Sequence, residues 1–504
     1  MRWSRTSPSG ERPPARECGP RVGGRPCPRP TGDSKSADTV RYSSARAASE
    51  VDMTSDADHS MGTAGPLKIL TGDDLGELDA AALAVLAETG VSIPSERARA
   101  GLAARGAAVD GARVRLRPEL VRELVALAPP RLTLGARAAA PLVTGERSLI
   151  TTDGCCVEIY DIAGGEKRGT RAEDVADIAR VVDAMPEIDF CWPAVSAQDR
   201  PSEVRGLHEL YLAIANTGKH VQTVTVVEPA QARVAVAMAR ALCDGDDVRL
   251  RAEPPISALL GTVTPLGNDA ATLEAGLEFA TAGIPVGFVT MPMGGSTTPI
   301  TMAGSLVVAI AEALCAVAVV QAACPGAPVF ICFIPSVMDL KTGDFTGGAP
   351  EDTVMGAAVA DVGRFYGLPT QCGVNSSGAK APSWQSALDD TTTTLLSLAA
   401  GVDMLAGVGM VFGGRIFSYT EMAVAAETVT RARRLAAGLD LAALGGPPAR
   451  PAPPAGPPLT DLARSPDAVL EAAHDRVAAI LATHRAAPLP PAVDDELRRL
   501  ASVA

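Results

Sequence analysis

The run GVNSSGAKAPSWQSALDD, residues 373–390, sets one lysine and one tryptophan among alanine, glycine and serine. Lys380 has the chemistry of a Schiff-base amine where water is kept from it. The indole face of Trp384 attracts a quaternary ammonium. The plainer roles are a solvated loop lysine and a tryptophan packed at a helix start. Other side chains with chemical capacity stand in similar surroundings. They are Thr264 in TVTPLGND, Ser296 in MPMGGSTTPITMAG, Asp339 and Lys341 in PSVMDLKTGDFTGGAPED, Asn375 and Gln385 in the lysine loop, and Glu421 in FGGRIFSYTEM. These stretches are long, rich in glycine and poor in bulky charge, which lets backbone and hydroxyl dipoles approach a small ligand. The same residues also serve tight turns and helix caps. Thr298-Pro299 reads as a helix start, and Asp339 with Lys341 reads equally as a solvated pair. None of these groups declares itself catalytic. Only His208 and His220 fall in the central region and no Cys-x-x-Cys occurs, so no metal site is expected.

Each of these stretches follows a short apolar run. IDFCWPAVSA, HVQTVTVV, PISALLGTVT, PVGFVTM, PVFICFIP, PTQCGV and DMLAGVGMV read as strands, with SLITTDG as an eighth. Longer alanine-rich runs of helical period, such as AQARVAVAMARALCDG and DAATLEAGLEFATAG, lie between them. Alternation of this kind marks parallel βα units, and nearly continuous apolar strands imply burial on both faces. The predicted fold class is therefore α/β, a (β/α)8 TIM barrel over residues 148–444, with chemistry at the C-terminal ends of its strands. No G-x-G-x-x-G follows the first strand, so a dinucleotide fold has no direct support.

Before the barrel, residues 63–147 read as a cap of helices, punctuated by Gly90 and Pro129-Pro130. Residues 1–62 are rich in Arg, Pro, Gly and Ser and lack both a foldable apolar run and a signal-peptide core. Met53 and Met61 stand as alternative starts. Residues 445–459, GGPPARPAPPAGPPL, read as a proline-rich spacer, and residues 460–504 as a helical tail opened by a serine cap in SPDAVLEAAHDRVAAILATHR. The net charge of −13 argues against nucleic acid. The ten cysteines sit mostly in apolar runs and read as buried free thiols. The apolar run at 301–323 is interrupted by Glu312 and Gln321, so no membrane span is expected, and a cytoplasmic location follows.

MPMGGSTTPITMAGSL, PSVMDLKTGDFTGGAPED, SGAKAPSWQSA and APLPPAVDDELRRL, in that order, resemble the trimethylamine methyltransferase family from about Leu67 to the C-terminus. The founding enzymes of that family carry pyrrolysine. This chain has only standard residues and is similar to the branch without it. The resemblance implies a barrel that moves a methyl group from a methylated amine, here a quaternary one such as a betaine, to the cobalt of a separate corrinoid protein. It implies no cofactor bound directly, the corrinoid (cobalamin) being carried by the partner, and a homo-oligomer is expected. No Asp-x-His-x-x-Gly segment for a cobalt ligand occurs in the chain. The substrate-binding candidates are then Trp384, Lys380, Gln385, Asn375, Asp339, Lys341, Thr264, Ser296 and Glu421, with Trp384 facing the cation and Lys380 near the rim. The family usually has Asp two residues before the lysine and three after; Gly378 and Ser383 stand there. Those departures leave two alternatives open: a non-catalytic barrel that binds quaternary amines, and a Schiff-base lyase or aldolase using Lys380.

Overall fold

The structure, a computed structural model, describes residues 66–163, 165–374, 377–436 and 465–503. The N-terminal extension and the proline-rich spacer lie outside the described residues. Eight parallel strands close into a barrel. They are β1 (Leu149–Thr152), β2 (residues 190–191), β3 (Val221–Thr223), β4 (Ile256–Gly261), β5 (Val286–Thr290), β6 (Val329–Phe333), β7 (Thr370–Gly373) and β8 (Met404–Val408). From β3 to β8 each strand pairs with the next, and β8 returns to β1 with Met404 opposite Leu149. The bridges Thr151 to Phe190 and Cys191 to Val221 place β2 between β1 and β3 and complete the ring. A helix follows every strand, from Ala172–Ala184 after β1 to Tyr419–Ala436 after β8.

The valine-, isoleucine- and phenylalanine-rich strands are buried on both faces, as VGFVT and VFICF show. Side chains facing inward, among them Leu149, Phe190, Leu259, Phe330 and Met404, fill the barrel interior. Leu132 and Leu134 join them from the segment before β1, so the N-terminal region closes the lower end of the barrel. The outward faces pack under the helices in one continuous core. The helix Met302–Ala323 is long and apolar enough to cross a membrane, yet most of it is buried within the fold. Its Glu312 holds the β4 exit loop, accepting from Thr262 and Thr264 hydroxyls and from Leu266 N at 2.7–2.8 Å.

The N-terminal region departs from the all-helical expectation. Helices Gly72–Ala84, Glu96–Ala104 and Pro118–Val125 flank a three-stranded antiparallel sheet of Val91–Ser92, Ala108–Asp110 and Arg113–Arg115. The hairpin turns at Gly111-Ala112, between the paired Asp110 and Arg113, with Gly111 at φ 57°, where glycine at the first turn position suits the geometry. At the other end, Ser465 Oγ caps the helix Pro466–Thr483 through Ala468 N. The last helix, Pro491–Ala501, is tied to the barrel by a hydrogen bond from Tyr211 Oη to Asp494.

Candidate active site

A cavity of about 720 Å³ opens at the C-terminal ends of the strands. Its lining comes from five of them: Asp153 and Gly154 after β1, Met291 and Met293 after β5, and Ile334, Ser336, Asp339, Asp344 and Phe345 after β6. Gly378, Lys380 and Gln385 follow β7, and Met410 and Phe412 follow β8. The loops above are braced by short strands. Met293–Gly294 pairs with Ser336–Val337, while Lys167–Gly169, Glu158–Tyr160, Ile416–Ser418 and Met410–Val411 form a four-stranded sheet across the β1 and β8 exits. Tyr160 Oη donates to the Lys380 carbonyl at 2.8 Å and so ties the lysine loop to that sheet.

Three methionines, one isoleucine and two phenylalanines form the soft apolar part of the walls, beside Ser336, Thr342, Thr346 and Gln385. The charged groups are few. Lys380 is exposed at the rim, with Nζ 5.1 Å from the centre of the Phe412 ring, and the Arg415 guanidinium lies 5.9 Å from the same ring. Asp339 spends one carboxylate oxygen on Lys341 N at 2.8 Å, within a tight turn that returns to Asp344. Asp153 is different. It is only 6% exposed, accepts from Gly154 N at 2.6 Å, and forms no ion pair among the described residues. Burial raises its carboxyl to about 7. Trp192 packs directly under Gly154, where any Cβ would lie 1.9 Å from the indole nitrogen. Among the described residues no group of three or more His, Cys, Asp or Glu is placed to hold a metal ion.

The nine sequence candidates divide. Lys380, Gln385 and Asp339 line the cavity together. Lys341 is exposed beside them but outside the lining, and Ser296 is exposed in the turn built on Met293. Thr264 is engaged by Glu312. Asn375 lies outside the described residues. Glu421 is buried between helices, where it accepts from Ser386 Oγ at 2.9 Å and faces Asp390. Trp384 does not face the cavity: it is 79% exposed at the first position of the helix Trp384–Ala400. That helix buries Ser386, Asp390, Thr393 and Ser397, and residue 384 stands about 200° around the axis from 386. The aromatic rings that do line the cavity are Phe345 and Phe412. The helix expected to start at Thr298-Pro299 begins at Met302 instead, capped by Thr301 Oγ1 through Gly304 N.

Residues 38–445 match the profile of trimethylamine methyltransferase (MTTB). The chain belongs to the trimethylamine methyltransferase family. It is 31% identical over 373 residues to the trimethylamine methyltransferase MttB of Desulfitobacterium hafniense, covering 73% of this chain and 75% of that one. It is 30% identical over 383 residues to that of Methanosarcina thermophila, covering 74% of this chain and 79% of the relative. The glycine betaine methyltransferase of Desulfitobacterium hafniense is 28% identical over 339 residues, covering 67% and 70%. A member of this family is a methyltransferase, and the mouth of its barrel is the place for that chemistry.

Asp153 is not among the sequence candidates because its loop, residues 153–171, carries more charge than the glycine- and hydroxyl-rich loops after β4 to β8. The available signal was a lone carboxylate ending the apolar run SLITTDG.

Proposed function

We propose that this enzyme moves a methyl group from a quaternary amine such as a betaine to the cobalt of a corrinoid carried by a separate protein. The observation that carries the reading is the cavity itself: methionine and phenylalanine walls around a single buried, unpaired carboxylate, open at the barrel mouth. Such walls suit an alkylated cation, whose charge is spread over methyl groups and cannot donate hydrogen bonds. A quaternary ammonium leaves as a neutral tertiary amine when one N–C bond breaks. No general acid is then needed. The corrinoid supplies the nucleophile that receives the methyl. The residues of this chain bind the cation, exclude water and aim one methyl outward. Reaction then requires the acceptor protein to cover the mouth. A cytoplasmic setting, where that partner would be met, belongs to the same reading.

The test is direct. The protein, a reduced corrinoid protein and a panel of betaines are mixed, and methylcobalamin formation is followed by absorbance. Methyl transfer from at least one quaternary amine is expected. Absence of transfer across the panel, with an acceptor shown to be active, defeats the proposal. The lyase alternative predicts borohydride trapping of a carbonyl substrate on Lys380. The position of that ammonium on the Phe412 ring, exposed at the rim, gives it no support.

A further inference from the structure

Asp153 is the cavity group for which the fold offers no internal partner. Its one hydrogen bond, from Gly154 N, uses Oδ1, and an asparagine would serve that turn equally well. Among the described residues no lysine or arginine neutralises it, although a buried carboxylate is costly unless it is paired. The groups facing it are Cys155 and Cys156 beyond the same strand and Cys332 of β6, with Glu209 of the helix Ser202–Asn216 facing Cys155 in turn. Across the cavity stand Lys380, Asp339 and Asp344. Burial pushes the three thiols far up. Glu209 is satisfied by Ala197 N and Thr225 Oγ1 at 2.8 and 2.6 Å. None of these supplies a counter-charge at the cavity floor.

We infer that Asp153 is the counter-ion for the substrate's positive nitrogen and that it releases a proton as the cation binds. The inference rests on the reading of this cavity as a methylated-amine site and gives that site its charge selectivity. Methyl groups keep the nitrogen from hydrogen bonding, so beside the Phe345 and Phe412 rings an unpaired charge at short range is what distinguishes it from a neutral tert-butyl group. The linkage has a definite sign. The empty site holds its proton to about pH 7. A cation nearby lowers a carboxyl by roughly 1–3 units, and reciprocity makes the ionised site bind the cation about 10- to 1000-fold more tightly than the protonated one. Affinity therefore rises with pH up to the neutral range and then levels.

Calorimetry on the full chain reads this directly, with glycine betaine and tetramethylammonium as cationic probes. The neutral-headed isostere 3,3-dimethylbutyrate is the control. At about pH 6, titrations in buffers of different ionisation enthalpy are expected to show release of about 0.4 to 0.9 proton, and betaine affinity rises about 5- to 10-fold between about pH 6 and about pH 8. The isostere shows no such rise. Asp153→Asn binds betaine at least about tenfold more weakly at pH 8, with a flat pH profile and unchanged binding of the isostere. Proton-neutral, pH-independent betaine binding by the wild type overturns the inference, and needs no variant to do so. If the methyl-transfer assay succeeds while these arms fail, the counter-ion role falls and the amine reading stands. If neither cationic probe binds at any pH, both fall.

Discussion

At the scale of single residues, Gly378 shows why a departure from the family pattern is built into this chain. The carboxylate that the resemblance leads one to expect two places before the lysine is absent, and the structure leaves no room for it. A Cβ at Gly378 would stand 2.5 Å from the Thr346 carbonyl oxygen, because the β6 and β7 loops meet there backbone to backbone. Gly378→Asp is therefore expected to lower stability by about 1–3 kcal/mol, the range for forced overpacking. It would not restore a binding carboxylate. Urea unfolding checks this, and an unchanged midpoint would show that the loops yield freely. Ser383, the second departure, keeps a local task as the cap of the helix Trp384–Ala400, accepting from Ser386 N. Lys380, Gln385 and Asp339 were legible as rim residues because glycine-rich loops after strands are where such groups gather. Asp153 and Phe412 were not legible as cavity residues, because their place in the lining depends on neighbours distant in sequence.

At the scale of elements, the helix Trp384–Ala400 inverts the usual pattern. It buries serine, aspartate and threonine against the helix Tyr419–Ala436 and turns Trp384 and Leu388 outward. Position after a strand puts Trp384 at the barrel mouth but does not fix which way it points, and the polar buried face of this helix turns it outward. Within that interface, burial first, and then the charge of Glu421, holds the Asp390 carboxyl well above the usual range; burial raises Glu421 as well. A folded-state proton held more tightly than in the unfolded chain means stability that is whole below about pH 4 and is lost as pH climbs through the raised values. Asp390→Asn keeps a hydrogen-bond donor to Glu421 and removes one ionisation. Its urea midpoint should fall less than that of the wild type between about pH 5 and about pH 8. Parallel curves for the two proteins would mean that the pair does not titrate there. The barrel strands were the most legible elements, since short apolar runs alternating with longer runs of helical period recur eight times. The run IDFCWPAVSA misled only in length: pairing narrows to residues 190–191, next to Pro193, which has no N–H to give a ladder. The N-terminal hairpin was hidden by its alanines.

At the scale of the whole molecule, the cavity opens into loops that carry large exposed apolar side chains. Val263 follows β4, Met291 and Ile300 follow β5, Leu340 follows β6, and Trp384 and Leu388 follow β7. Leu340 and Ile300 meet over Gly295, so part of this rim is continuous. A rim of this kind around a cavity has a use if the methyl acceptor arrives on another protein, because an apolar seal keeps water from the transferring methyl. It also reassigns the tryptophan. An exposed indole beside the opening resembles the aromatic anchors that dominate protein interfaces, where truncation costs about 2 kcal/mol or more. Trp384→Ala is therefore expected to leave betaine binding unchanged by calorimetry while raising the KM for the corrinoid protein about 10- to 30-fold. Leu340→Asp, on a different loop, should act in the same direction without altering the fold, because its side chain is 65% exposed. If both variants keep the wild-type KM for the acceptor, the partner does not sit on these loops. If Trp384→Ala instead weakens betaine binding in the absence of any acceptor, the indole swings inward on binding and contacts the cation after all.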